Sequence, residues 1–239
     1  MSTEFEKYSD IIFSNYTHSV KQNDIAAKKK EILDEILDYY NLKPNSILFV
    51  GFSPSIDRFT GCQIFVTEIG GDTREHLAKE TNAQYIPMDA IGNTKFDVVI
   101  AMDEYLTFAN SDEHQRDLIT FLAGITRQCV ITTLRDYKNQ DFKNREFSSP
   151  IVIRGSNKKI YLEHYDYDML DRNACLATSY VIDDNAVDII GPFHRRNLFF
   201  KQLAKFSLDA GAENFLIHKN LMHKSLLKKN YEHIITIRF

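Results

Sequence analysis

The sequence predicts an α/β fold, a doubly wound and mostly parallel sheet that carries an inserted small β region. Three observations predict it. Short apolar runs alternate with amphipathic helical stretches from residue 24 to about residue 136, and strands separated by helices need crossover connections that leave neighbouring strands parallel. Two of the runs, DVVIA at 97–101 and CVITT at 129–133, lack polar alternation, as strands covered on both faces do. From 137 to 195 the rhythm breaks into short alternating segments and then resumes, which is the pattern of an insertion into one core.

The elements follow in order. Residues 1–23 read as an N-terminal extension. Asp24 can cap a helix whose apolar stripe is Ile25, Ile32, Leu33, Ile36, Leu37 and Tyr40, and Pro44 helps to end it. Strands are expected at 47–50, 63–67, 84–87, 97–101 and 129–133, with a short helix at 72–80. Asn110 with Glu113 resembles a capping box that opens a helix with Leu118, Leu122 and Ile125 on one face. Within the insertion, 151–154, 160–164, 177–182 and 186–190 read as antiparallel strands, the last two joined by a turn at 183–185. Leu198, Phe199, Leu203 and Phe206 form a helix stripe that Gly211 can stop, and 215–218 and 231–239 are the last strands.

Composition narrows the function. Of 239 residues 44% are hydrophobic, including 17 Phe and 12 Tyr, enough for a packed core. No apolar run nears the ~20 residues of a membrane span, and the N-terminus lacks a basic-then-apolar leader pattern, so a cytoplasmic protein is expected. Cys62, Cys129 and Cys175 lie far apart without a CxxC and read as reduced thiols. Neither they nor His218 and His223 have metal-ligand spacing, so no metal is expected. The net charge of −4 argues against a general nucleic-acid coat. The insertion is acidic, from Glu163 to Asp188, whereas the chain beyond 194 is basic and admits nucleic acid as a partner.

In open parallel sheets ligands bind beyond the carboxyl ends of the strands. The polar residues there are Gly51–Ser55, Glu68, Asp89, Asp103 with Glu104, and Arg135 with Asp136. An acid after the second strand can accept hydrogen bonds from two ribose hydroxyls, Asp89 can accept one from an adenine amino group, and Gly51 lets a ligand approach the backbone.

The segments ILFVGFSPS, IFVTEIGGD, YIPMDAIG, KFDVVIAMDEYLTFA and DAGAENFLI, in this order, resemble those of class I S-adenosylmethionine-dependent methyltransferases. The resemblance covers residue 24 to the end. It implies a seven-stranded sheet with an antiparallel last strand, in a single domain over 1–239. It implies S-adenosylmethionine as cofactor, held by Gly51, Phe52, Ser53, Glu68, Asp89, Ala90 and Asp103, and a β-rich substrate lid at 137–195. Two features depart from the family pattern. Phe49 stands where the family has an acid, and Ser53 and Ser55 replace the later glycines around Pro54. Both serines can still hydrogen-bond a carboxylate.

Methyl transfer is an in-line displacement that rests on proximity, so no dedicated nucleophile is required. An amine or hydroxyl acceptor needs a base, for which Glu104, Tyr105, His164 and His194 are the candidates. A small-molecule acceptor is expected, and the acidic insertion favours a cationic or amine-bearing one. The alternative is a catalytically inactive binding or assembly protein on the same fold, favoured by the altered 49–55 loop. A nicotinamide enzyme is disfavoured by the lack of GxGxxG.

Overall fold

The computed structural model describes residues 3–17, 22–102, 104–135, 145–147, 151–154, 158–183, 186–218 and 232–239. Asp103, Asp136, His223, most of the 183–185 turn and the basic stretch 219–231 lie outside the described residues. Helices α1 (Glu4–Thr17) and α2 (Gln22–Tyr39) precede β1 (Ser46–Val50), β2 (Gln63–Thr67), α3 (Gly71–Glu80), β3 (Gln84–Tyr85), β4 (Phe96–Ala101), α4 (Asp112–Ile125) and β5 (Thr126–Arg135). The insertion holds β6 (Arg145–Phe147), β7 (Ile151–Arg154), β8 (Lys158–Tyr167), β9 (Ala174–Ile182) and β10 (Val187–Arg196). Helix α5 (Phe200–Asp209), β11 (Asn214–Ile217) and β12 (Glu232–Arg238) close the chain.

Seven strands form one sheet in the order β11-β12-β5-β4-β1-β2-β3. β12 runs antiparallel to β5 and β11, while β1 pairs in parallel with β2 and β4, so the strand order reverses beside β1. This is the expected architecture. The side-chain period of 2 sends Ile47 and Phe49 of β1 to one face of the sheet and Leu48 and Val50 to the other. Ile47 and Phe49 share a core with Leu33 and Ile36 of α2 and Leu77 of α3. Leu48 and Val50 share the opposite core with Leu122 of α4, Leu203 and Phe206 of α5, and Phe5 of α1.

The insertion is a five-stranded antiparallel sheet ordered β10-β9-β8-β6, with β7 also on β8. Its inner face, with Tyr161, Tyr165, Tyr167, Ala177 and Phe193, merges into the core around Leu48 and Val50. Gln115 of α4 ties it down, donating to the Arg196 carbonyl at 2.9 Å. β8 and β10 run longer than their apolar segments predict.

Four details differ from the sequence reading. α2 begins at Gln22, so Asp24 lies inside it instead of capping it. Residues 4–17 form a helix with a capping box of its own: Glu6 N–H donates to Thr3 Oγ1 and Thr3 N–H to Glu6 Oε2, both at 3.0 Å. Ser111 rather than Asn110 caps α4, accepting from His114 N–H at 3.1 Å. Leu198 and Phe199 precede α5 instead of lying in it. Gly211 does lie at the helix end, in the left-handed region at φ +94°.

Candidate functional site

Two of the candidate acids at the strand ends are built into strained turns. Glu68 after β2 and Glu104 after β4 have φ of +55° and +63°, two of the three positive values among described non-glycine residues. Such a conformation is costly for a residue with a β-carbon and gathers at functional sites. Both residues are also buried. Glu68 accepts a hydrogen bond from the hydroxyl of Thr3, the residue that caps α1. Burial pushes its carboxyl above the ordinary range, against the Thr3 hydrogen bond that favours the charged form; Glu6 adds to the rise and Arg74 opposes it.

Glu104 is fixed from several sides. Its N–H donates to Thr133 Oγ1 of β5 at 3.3 Å, and the Thr107 hydroxyl donates to its carbonyl at 2.8 Å. Its carboxylate pairs with Arg195 of β10 at 2.6 Å, with side chains 10% and 4% exposed. Arg195 lies against the rings of Phe108 at 4.1 Å and Tyr8 at 5.0 Å. Burial opposes the Arg195 charge, but Glu104 and then Tyr8, Tyr165 and Glu163 hold its pKa above the usual value. The adjacent Tyr105 phenol is buried, and burial followed by the Glu68 charge pushes its pKa up, so it stays protonated.

Gly51 is required twice over. Its φ is +86°, and a β-carbon would sit 2.7 Å from Phe5 Cε1. Phe52 N–H, the next donor, is taken by Ser9 Oγ of α1 at 2.7 Å. Ser53 and Ser55 are buried and hydrogen-bonded to each other at 3.0 Å. Phe49 is a core residue, 1% exposed, with its ring 5.6 Å from that of Phe59.

The other expected site residues are spread more widely. Asp89 and Ala90 lie exposed in a short 3-10 turn after β3. His194 is exposed, and its Nδ1 lies 2.9 Å from Glu4 Oε1. His164 is not brought to the strand ends. Along β8 it alternates with the inward Tyr161 and Tyr165, which puts it on the outer face, stacked on Phe147 at 4.6 Å.

Sequence reasoning missed Arg195 and α1. An arginine in the run HRR reads as surface, and only the fold brings it to Glu104, 91 positions away. The α1 side chains at the site, Thr3, Phe5, Tyr8, Ser9 and Asp10, likewise have distant partners. The T-x-x-E spacing of Thr3 and Glu6 is the local signal that marks the helix.

No family model matches the chain, and no curated protein matches it by sequence. Solved structures do. CalS10, an amino pentose methyltransferase of Micromonospora echinaspora solved with bound S-adenosylmethionine, superposes with a TM-score of 0.66 at 11% identity, over 96% of this chain and 97% of that one. The sugar N-methyltransferase KedS8 from a Streptoalloteichus species gives 0.64 at 11% identity, over 96% and 92%. An S-adenosylmethionine-dependent methyltransferase from Clostridium acetobutylicum gives 0.64 at 10%, over 95% and 97%. The chain has the fold of class I S-adenosylmethionine-dependent methyltransferases. In this methyltransferase fold the turns after β1, β2 and β4 meet at the strand-order reversal, which is where Gly51, Glu68 and Glu104 stand.

Proposed function

We propose that the protein is an S-adenosylmethionine-dependent methyltransferase acting on a small-molecule acceptor that bears an amine. The observation that carries the reading is the pair of buried acids in left-handed turns at the ends of β2 and β4, either side of a glycine that opens the backbone at the end of β1. The donor set suits the cofactor: Glu68 offers a carboxylate to ribose hydroxyls, and Phe52 N–H is a donor beside Gly51. Asp89 and Ala90 would line the adenine side, and the insertion would wall the acceptor side. These contacts are open to a ligand only once α1 releases them.

Bound there, S-adenosylmethionine supplies an electrophilic methyl group on a sulfonium. The chain's own residues orient the acceptor and take up its proton. Glu104, held as an ion pair by Arg195, presents a carboxylate oxygen to the acceptor nitrogen and accepts the proton that nitrogen sheds after methylation. A carboxylate already paired to a guanidinium is a weak base, poorly matched to the far less acidic proton of a hydroxyl, and this favours an amine. Tyr105, kept protonated by burial, acts as a donor and not as a base. The acidic insertion and the amino-sugar and sugar N-methyltransferases among similar structures point the same way.

The catalytically inactive reading is favoured by one observation: Ser53 and Ser55 satisfy each other and offer little to a ligand carboxylate. Calorimetric titration separates the two. S-adenosylmethionine and S-adenosylhomocysteine are titrated into the unaltered chain and into Ser9→Ala, which frees Phe52 N–H. Measurable heat in either supports the enzyme. No heat and no thermal shift at millimolar ligand in both overturns it.

A further inference from the structure

Helix α1 occupies the place where a cofactor would lie. It crosses the carboxyl ends of β1, β2 and β4, between them and the inserted sheet. The Thr3 hydroxyl donates to Glu68, as a ribose hydroxyl would. Ser9 Oγ accepts Phe52 N–H at 2.7 Å. The Phe5 ring stands over Gly51, 2.7 Å from where a β-carbon would be, and edge-on to Tyr105 with centroids 4.7 Å apart. Asp10 accepts from Gly70 N–H at 3.0 Å and from the Thr73 hydroxyl at 2.5 Å. Tyr8 covers Arg195 at 5.0 Å. A ligand reaching both Gly51 and Glu68 has no room while these side chains remain.

We propose that α1 is an intramolecular competitor for the cofactor site, a plug whose side chains substitute for the ligand's polar groups and which must leave before the ligand enters. The proposal rests on the methyltransferase reading. The hydrogen bonds that Thr3 and Ser9 surrender are remade by the ligand, so the opposition to opening comes from contacts it does not replace: Asp10 with Gly70 and Thr73, Glu6 with Arg74, and the apolar packing of Phe5 and Ile11, both buried in the core. Apparent affinity is then the intrinsic affinity reduced by the fraction of molecules with α1 displaced. The same geometry explains why Gly70, at an ordinary φ, is glycine: a β-carbon there would fall 1.7 Å from Asp10 Oδ2.

The test uses the full chain and S-adenosylhomocysteine as probe. Ser9→Ala removes one plug contact, Thr3→Ala removes the bond to Glu68 together with the cap on Glu6 N–H, and Gly70→Ala pushes Asp10 away without replacing Glu68 or Phe52. Each hydrogen bond removed is expected to tighten binding about fivefold, and the Thr3→Ala/Ser9→Ala pair about 25-fold. In the unaltered chain, hydrogen exchange in residues 3–17 should quicken when the probe binds while exchange around Glu68 slows. This second measurement needs no variant to fold. If the unaltered chain binds the probe with α1 still protected, and the variants bind no tighter, the plug is overturned and the cofactor reading stands. If no form binds at millimolar probe, the cofactor reading falls and takes the plug with it.

Discussion

Arg195→Met removes the cation from the Glu104 pair, and the burial of that pair sets the size of the effect. The two side chains are 4% and 10% exposed and 2.6 Å apart. Exposed ion pairs are worth about 0–1 kcal/mol. Breaking a buried pair by deleting one partner costs about 3–5 kcal/mol, because the remaining charge stays out of water. Loss of the contact with Phe108, 4.1 Å away, adds about 0.5–2 kcal/mol. For a chain of this size 1 kcal/mol moves the midpoint about 2–4 °C, so the pair term alone predicts a fall of roughly 6–20 °C. The assay is thermal and urea unfolding of the unaltered chain, Arg195→Met, Glu104→Gln and the double variant. Once one charge is gone the other is a liability, so the double variant should be no worse than Arg195→Met, with a coupling of about 2 kcal/mol or more. An Arg195→Met chain within about 1 kcal/mol of the unaltered protein, or additive single effects, would refute the reasoning.

Three further outcomes are expected. Burial raises the Glu68 pKa above its ordinary 4.5, so the folded state holds that proton more tightly than the unfolded one; its contribution to stability is complete below about pH 4.5 and is lost as pH rises through the folded value. Glu68→Gln should therefore match the unaltered chain near pH 4 and be more stable at pH 7.5 in thermal melts, and equal stability at both would count against the buried acid. Asp97 has the opposite sign: burial opposes its charge, but N–H donation from Asn45 at 2.7 Å and Ser46 at 3.2 Å, with Arg127 at 3.2 Å, brings its pKa below the ordinary 3.8. Asp97→Asn should cost about 1–3 kcal/mol at neutral pH, a difference that shrinks as pH falls below about 4 in urea unfolding. Phe49→Asp, which restores the family acid, would bury a carboxylate beside Phe59 and destabilise the chain by several kcal/mol, on the order of a charge buried without a partner; a stable variant with tighter S-adenosylmethionine binding would show instead that residue 49 faces the ligand.

What the sequence reveals depends on how local the cause is. β2 is legible because Ile64, Phe65 and Val66 lie in a short apolar run bounded by turns, and Gly211 because a helix end needs a left-handed residue that glycine supplies. The cap of α4 is missed by one residue because Asn110 and Ser111 are both good caps, and the fold decides between them. β8 is read as 160–164, although its polar residues continue the alternation to Tyr167. Carrying that alternation through puts His164 on the face opposite Tyr161 and Tyr165, and so away from the strand ends. Glu68 and Glu104 are legible by their position after apolar runs. Their side-chain partners are not, since Thr3 and Arg195 lie more than 60 positions away in sequence, and no local residue pattern marks their left-handed backbones.

The same nonlocality shapes the turn after β1, where Ser53 and Ser55 stand in place of further glycines. Its serines bond to each other, its phenylalanine fills the core, and its one glycine admits Phe5 of α1. The positive φ at Gly51 is open to a glycine without strain and makes room for the Phe5 ring, whereas Glu68 is buried in a left-handed backbone with the Thr3 hydroxyl as a partner. The burial and the backbone of Glu68 cost stability, and the Thr3 hydroxyl offsets part of that cost. On the proposed reading, a helix that satisfies a costly site through groups a nucleoside could replace would keep that site ready for exchange. The strain at Glu68 and the cover over it are therefore one arrangement, and the loss of either side should release the other: Thr3→Ala should free the helix, and a bound nucleoside should free it in the same way.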